Sequence, residues 1–130
     1  MIHRLTISVH PAVYAICRLE ADAAVPSWAA GNSFLTITRT ASELSIVCDE
    51  NAIPSDAHAE RKRRLLQIEG TLAFTLSGVL ASVATPLAEA EVSIFAISTY
   101  DTDYILVADE DLDRAITALE GAGHKVQRSG

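Results

Sequence analysis

The sequence predicts an α+β fold. A strand–helix–strand–strand–helix–strand unit fills its second half, and a shorter, degraded copy of that unit fills its first. Three observations carry this. Short apolar runs rich in β-branched residues recur from the first residues onward, as strands do. Two stretches of the second half instead space their apolar residues every three or four positions, as amphipathic helices do. Gly, Pro, Asp and Ser punctuate the intervals between them.

The bulk numbers frame these elements. The chain has 130 residues, 49% hydrophobic and 21% charged, which suits a globular core rather than disorder. Aromatics are only 5%, so Leu, Ile, Val and Ala must build the core. Ten basic against 17 acidic residues leave a net charge of −7. Such a balance disfavours general binding to nucleic acid or to anionic membranes.

In the first half, residues 5–10 (LTISVH), 14–19 (YAICRL), 34–40 (FLTITRT) and 44–50 (LSIVCDE) read as strands. Residues 25–32 and 40–43 offer only one-turn helices, the second capped by Thr40 or Ser42. Ile53-Pro54-Ser55-Asp56 closes the half with turn chemistry, and residues 57–64, with four consecutive basic residues, read as a solvated linker. Cys17 and Cys48 sit in apolar runs without metal spacing, so they are expected to be buried, reduced thiols.

The second half is more regular. Residues 65–70 form a strand ended by Gly70. Ser77 is placed to cap a helix over residues 78–90, with Val79, Leu80, Val83, Leu87 and Ala90 on its apolar face and Pro86 inside it. Strands follow at 92–98 and 103–108. A helix then opens on Asp109, where several acids suit the positive end of the helix dipole, and Leu112, Ala115, Ile116 and Leu119 form its stripe. Residues 124–128 close the unit. This order folds into a ferredoxin-like, four-stranded antiparallel sheet with two helices on one face. The expected division is residues 1–60 for the degenerate module and 61–130 for the βαββαβ module.

Residues 77–107, SGVLASVATPLAEAEVSIFAISTYDTDYILV, resemble the ACT domain, a small regulatory fold that binds amino acids. Residues 93–107 followed by an acidic-capped helix are similar to the branch that contains the cytosolic arginine sensors of the TOR pathway and short bacterial proteins. Residues 34–50 also resemble the first module of those proteins. The resemblance implies tandem modules, a regulatory role without catalysis, and a free amino acid as effector. It places the ligand between the loop Thr75, Leu76, Ser77, Gly78, Val79 and the segment Ser98, Thr99, Tyr100, with Asp103 just beyond. The arginine sensors carry an acid two residues before the helix-opening glycine, where this chain has Leu76. A neutral amino acid is therefore the expected ligand, because a guanidinium would lack a charge-assisted partner. It further implies a homodimer that brings two C-terminal modules together, with pairing inside one chain as the alternative.

The residues themselves support a binding role. Gly78 and Val79 at a helix N-terminus offer backbone N–H groups to a carboxylate, and Asp101 or Asp103 offers an acceptor to an ammonium. Asp and Thr are also ordinary turn formers, so a plain hairpin accounts for the same residues. No nucleophile constellation, phosphate loop or dinucleotide motif is present, and His3, His10, His58 and His124 lack metal spacing. The expectation is a cytoplasmic, non-catalytic amino-acid sensor without cofactor or metal. The alternative is an interaction module that keeps the fold and has lost the ligand.

Overall fold

Alternation of apolar and polar residues sets which face of each strand is buried, and the computed structural model shows the result for residues 3–73 and 77–128. The elements are β1 Thr6–Leu19, β2 Thr36–Arg39, β3 Leu44–Asp49, β4 Ala59–Ile68, α1 Val79–Glu89, β5 Phe95–Ser98, β6 Asp103–Ala108, α2 Leu112–Gly121 and β7 Lys125–Arg128. The chain divides into two compact units, Met1–Pro11 with Arg64–Gly130, and Ala12–Arg63. The sequence expectation instead cut the chain once, at residue 60.

In the unit Met1–Pro11 with Arg64–Gly130 the strands lie in the order β7, β1, β4, β6, β5. Ile7, Val9, Leu66, Ile68, Ile105 and Val107 point to one face, where they bury Val79, Val83 and Leu87 of α1 and Leu112, Ala115 and Leu119 of α2. Both helical stripes therefore pack as their periodicity predicts. The expected all-antiparallel sheet needs one correction: Thr6–Val9 of β1 pair with Lys125–Arg128 of β7 in parallel. The N-terminal strand occupies the place beside β7 that a βαββαβ unit would give to its own first strand.

Two more expectations change. Residues 5–10 and 14–19 belong to one continuous strand. The basic run is not a linker but the first part of β4. Its Arg64 side chain is only 15% exposed, and pairs with Asp109 at 3.1 Å while donating to the His10 carbonyl at 3.3 Å.

Helix α1 also opens differently. Gly78, not Ser77, is the N-cap, in a left-handed conformation (φ 81°) and without a side-chain cap bond. One turn on, the Ser82 hydroxyl donates to the Gly78 carbonyl at 2.8 Å and accepts the His3 N–H at 3.1 Å. Pro86, four residues further on, has no N–H to give to the Ser82 carbonyl. Buried His124 fills that position, its Nε2 donating to the Ser82 carbonyl at 2.7 Å while Nδ1 accepts the Leu5 N–H at 3.1 Å. The two bonds fix a neutral ring with its proton on Nε2. Gly123 (φ 99°) ends α2 in the left-handed turn that delivers His124 to this position.

The unit Ala12–Arg63 has the strand order β2, β3, β1, β4. Residues 27–29 and 50–52 form single 3₁₀ turns where the second half has helices. Thr40 closes the β2–β3 turn by accepting the Ser42 and Glu43 N–H groups, each at 3.1 Å, so residues 40–43 form a turn rather than a helix. The core holds Ala15, Leu44 and Ile46 together with Cys17 and Cys48. Both cysteines are buried and unpaired. Burial pushes the Cys48 thiol up to about 12, with the negative charge and hydrogen bonding of Cys17 adding to the shift. Cys17 is raised as well, first by burial, against the lowering effect of the Cys48 thiol.

Replacing His124 by Phe leaves the Ser82 carbonyl and the Leu5 N–H without their buried partner, and costs about 2 to 4 kcal/mol of stability in urea melts. Adding Pro86→Ala restores a helix N–H to Ser82, so the double variant recovers part of that loss. Strictly additive effects would exclude the coupling. A second expectation concerns pH. The unfolded thiols ionise near their ordinary value of 9.0 while the folded ones resist, so the unfolded state releases protons first. The cysteines' contribution to stability is intact below pH 9 and is lost as pH rises toward 12. Cys48→Ala should flatten that decline in melting temperature.

Candidate functional site

Between β5 and β6 the chain must turn without exposing the ends of two apolar strands, and four polar residues manage this. Ser98 and Asp103 face each other in the ladder, and the Ser98 hydroxyl donates to Asp103 Oδ1 at 2.5 Å. Thr99 donates its N–H to the Thr102 carbonyl at 2.8 Å, which closes the turn, and its hydroxyl donates to the same oxygen at 3.1 Å. Thr102 is buried, and its hydroxyl donates to the Ile68 carbonyl at the end of β4, at 2.7 Å. The Leu72 N–H donates to the Asp101 carbonyl at 2.7 Å, which binds the segment after β4 to the same turn. Tyr100 stands at the tip, 78% exposed.

This turn forms one wall of a cleft of about 180 Å³. Leu72 and Ala73 line it on one side, Val79 at the mouth of α1 on another, and the run Ser98 to Asp103 completes it. Of the residues expected from sequence, Val79, Ser98, Thr99, Tyr100 and Asp103 are thus brought together. Gly78 lies on a separate, wider groove of about 500 Å³ with Ala81, Thr85 and Pro86. Ser77 is exposed, and its carbonyl accepts from His3 Nε2 at 2.7 Å. Thr75 and Leu76 lie outside the described residues. Among the described residues the cleft's charged groups are Asp101 and Asp103, and none of those lining it is basic. Among the described residues no group of three or more His, Cys, Asp or Glu is placed to hold a metal ion.

Sequence reasoning missed Thr102 and Ser82. Thr102 looks like one more turn former, although a β-branched residue between two aspartates has the position parity to point inward. Ser82 is marked only by its spacing of four residues before a helical proline.

A crystal structure of protein Atu0741 from Agrobacterium tumefaciens matches 98% of this chain and 96% of its own, at 37% identity and a TM-score of 0.93. Residues 59–121 match the profile of the ACT domain family, and residues 12–56 match that of a separate N-terminal domain. The chain belongs to one family with this bacterial protein, and its residues 59–121 resemble the ACT domain. Every residue of the cleft lies within the ACT match. The human cytosolic arginine sensor for mTORC1 subunit 1 is 32% identical over 97 residues, which span 66% of this chain and 30% of that protein. The match therefore spans less than a third of that sensor's length. The regulatory subunit of aspartate kinase from Thermus flavus has the same fold, with a TM-score of 0.63 at 12% identity, over 92% of this chain and 99% of its own.

Removing the buried hydroxyl should loosen the wall of the ACT cleft. Thr102→Val takes the donor from the Ile68 carbonyl and costs about 1 to 3 kcal/mol, whereas Thr102→Ser keeps it and costs less. Amide exchange at Leu72 and Thr99 should quicken in the Val variant. Unchanged exchange would show that the turn holds without Thr102.

Proposed function

We propose that the chain is a regulatory ACT module, without catalytic activity, that binds a free amino acid in the cleft beside α1 and the β5–β6 turn. The observation that carries this reading is that one small cleft collects Val79 at the helix mouth, the Ser98–Tyr100 run and Asp103. An α-carboxylate gains the unpaired N–H groups and positive dipole end of α1. An ammonium gains Asp103. With Asp103 Oδ1 held by Ser98, the carboxylate is already oriented, so little ordering is needed on binding.

The ligand class draws its support from one relative by name, an arginine sensor. For this chain we propose a neutral amino acid, because Leu76 occupies the sequence position, two before Gly78, at which the resemblance to the arginine sensors calls for an acid. We further propose two ACT-like modules in tandem. The strand order β4, β1, β3, β2 in Ala12–Arg63, with turns in place of helices, supports this. A cytoplasmic setting and a homodimer complete the reading. Edge strands β2 and β5 carry exposed Ile37 and Phe95, which gives a second copy an apolar edge to cover. Among the described residues no helix is long and apolar enough to cross a membrane.

A nucleic-acid role has little support from the basic residues. Arg61 donates to the Pro54 carbonyl, Arg114 to those of Ala90 and Glu91, and Arg39 to those of Ala21 and Ala23. These guanidiniums are engaged in holding turns and a helix end.

Calorimetry against the twenty amino acids tests the proposal. At least one neutral amino acid should bind wild type, and Asp103→Asn should weaken it by about 1.5 to 3 kcal/mol while the fold is kept. Leu76→Glu should shift preference toward arginine or lysine. Absence of any binding at millimolar concentration would leave the interaction-module reading in its place. Light scattering should give twice the 13.9 kDa chain mass at tens of micromolar, and the monomer mass would remove the dimer.

A further inference from the structure

We infer that the unit Ala12–Arg63 holds a guanidinium site and fills it with one of its own side chains: Arg39 is an internal ligand at the counterpart of the cleft. Two stretches of the chain repeat each other at a spacing of 59 residues. Strand β2, Thr36–Arg39, corresponds to β5, Phe95–Ser98, and β3, Leu44–Asp49, to β6, Asp103–Ala108. The 3₁₀ turns that follow, Glu50–Ala52 and Asp109–Asp111, keep the spacing. So does the ladder: Arg39 faces Leu44 as Ser98 faces Asp103, and Ile37 faces Ile46 as Ala96 faces Ile105. The two hairpin turns are closed alike. The Thr40 N–H donates to the Glu43 carbonyl at 2.9 Å, and the Thr99 N–H to the Thr102 carbonyl at 2.8 Å. In both turns the threonine hydroxyl donates to that same carbonyl and accepts the N–H of the residue that bears it. Arg39 therefore stands where Ser98 lines the cleft.

Across the cleft from Ser98 lies the segment that leaves β4, and its fourth residue beyond Ile68 is Leu72. The same count from Leu19, the end of β1, gives Ala23. Arg39 spans this interval. Its Nη2 donates to the Ala23 carbonyl at 2.8 Å, and its Nη1 donates to the Ala21 carbonyl. A guanidinium is a rigid, permanently charged fork of donors, and two carbonyls two residues apart engage two of its arms. Ser98 is too short to make such a bridge, so its cleft stays open. Arg18 adds a second tie: it donates to the Ser42 carbonyl at 3.0 Å, whereas the matching carbonyl of Asp101 takes the Leu72 N–H. Arg39 lies exposed on the edge strand β2, so a soluble guanidinium can reach the two carbonyls once the side chain is gone. None of this depends on what the cleft beside α1 binds.

The test uses the full chain and removes the internal ligand. Arg39→Ala is the first variant, and Arg39→Ser, which installs the residue of the counterpart position, is the second should the first fold poorly. The probe is ethylguanidinium, the fragment that Arg39→Ala deletes beyond Cβ, and ethylammonium supplies the charge without the fork. Thermal shift is read at fixed ionic strength. The variants should melt below wild type, and millimolar ethylguanidinium should raise their melting temperature more than ethylammonium does. Wild type should need about tenfold more probe or greater for the same shift, because its tethered guanidinium competes at a high effective concentration. In amide spectra of the variants the probe should move Ala21 to Ala24 and Thr40 to Glu43. An equal response of wild type and variants, or equal rescue by ethylammonium, would overturn the internal ligand. So would shifts confined to Ser98 to Asp103, or no response of the variants at all. No amino acid is used, so these outcomes leave the effector reading of the other cleft to its own calorimetry.

Discussion

The position of the ACT cleft depends on one buried hydrogen bond, from His124 to the carbonyl of Ser82. Pro86 makes that bond necessary, because without its N–H the Ser82 carbonyl has lost its partner within the helix. His124 arrives from the far end of α2 through the Gly123 turn and accepts the Leu5 N–H with its other nitrogen. One ring thus joins α1, the end of α2 and the approach to β1. Ser82 passes the constraint to the helix mouth through its hydroxyl bond to the Gly78 carbonyl, one residue before Val79 lines the cleft.

The other wall is held by a different device. A two-residue turn would suffice to join β5 to β6. Instead Thr102 reaches back to the end of β4, and the Asp101 carbonyl takes the Leu72 N–H. These bonds attach the tip to the frame while leaving Tyr100 outward and Asp103 against Ser98. The polar character of the segment therefore has two sources. Thr99 and Thr102 maintain the turn, and Ser98 and Asp103 orient a carboxylate toward the cleft.

The basic run shows how composition can mislead. Four successive cations suggest a solvated segment, yet strand periodicity survives within them. Arg64 places its stem on the helix-covered face of the sheet and its guanidinium against Asp109 and a backbone carbonyl. Long side chains can bury their methylenes and keep a paired charged end, so charge density alone does not define a linker. Lys62 marks the local cost: it takes a left-handed conformation, φ 57°, with its N–H on Glu50 Oε1 at 2.6 Å.

The sequence by itself determined the two helical stripes, most of the strands, the burial of both cysteines and the cluster of Ser98, Thr99, Tyr100 and Asp103. Each of these follows from local periodicity or from residues adjacent in the chain, where pleat and helix pitch fix which side chains share a face. The tertiary structure alone decided that β1 lies beside β7 in parallel, that Gly78 rather than Ser77 caps α1, and that Thr102 and Ser82 hold the two walls of the cleft. Those outcomes depend on partners 34 to 42 residues away for Thr102 and Ser82, and on a strand from the opposite end of the chain for β7. A buried donor or acceptor must find a partner wherever the fold brings one, and no local pattern records where that is.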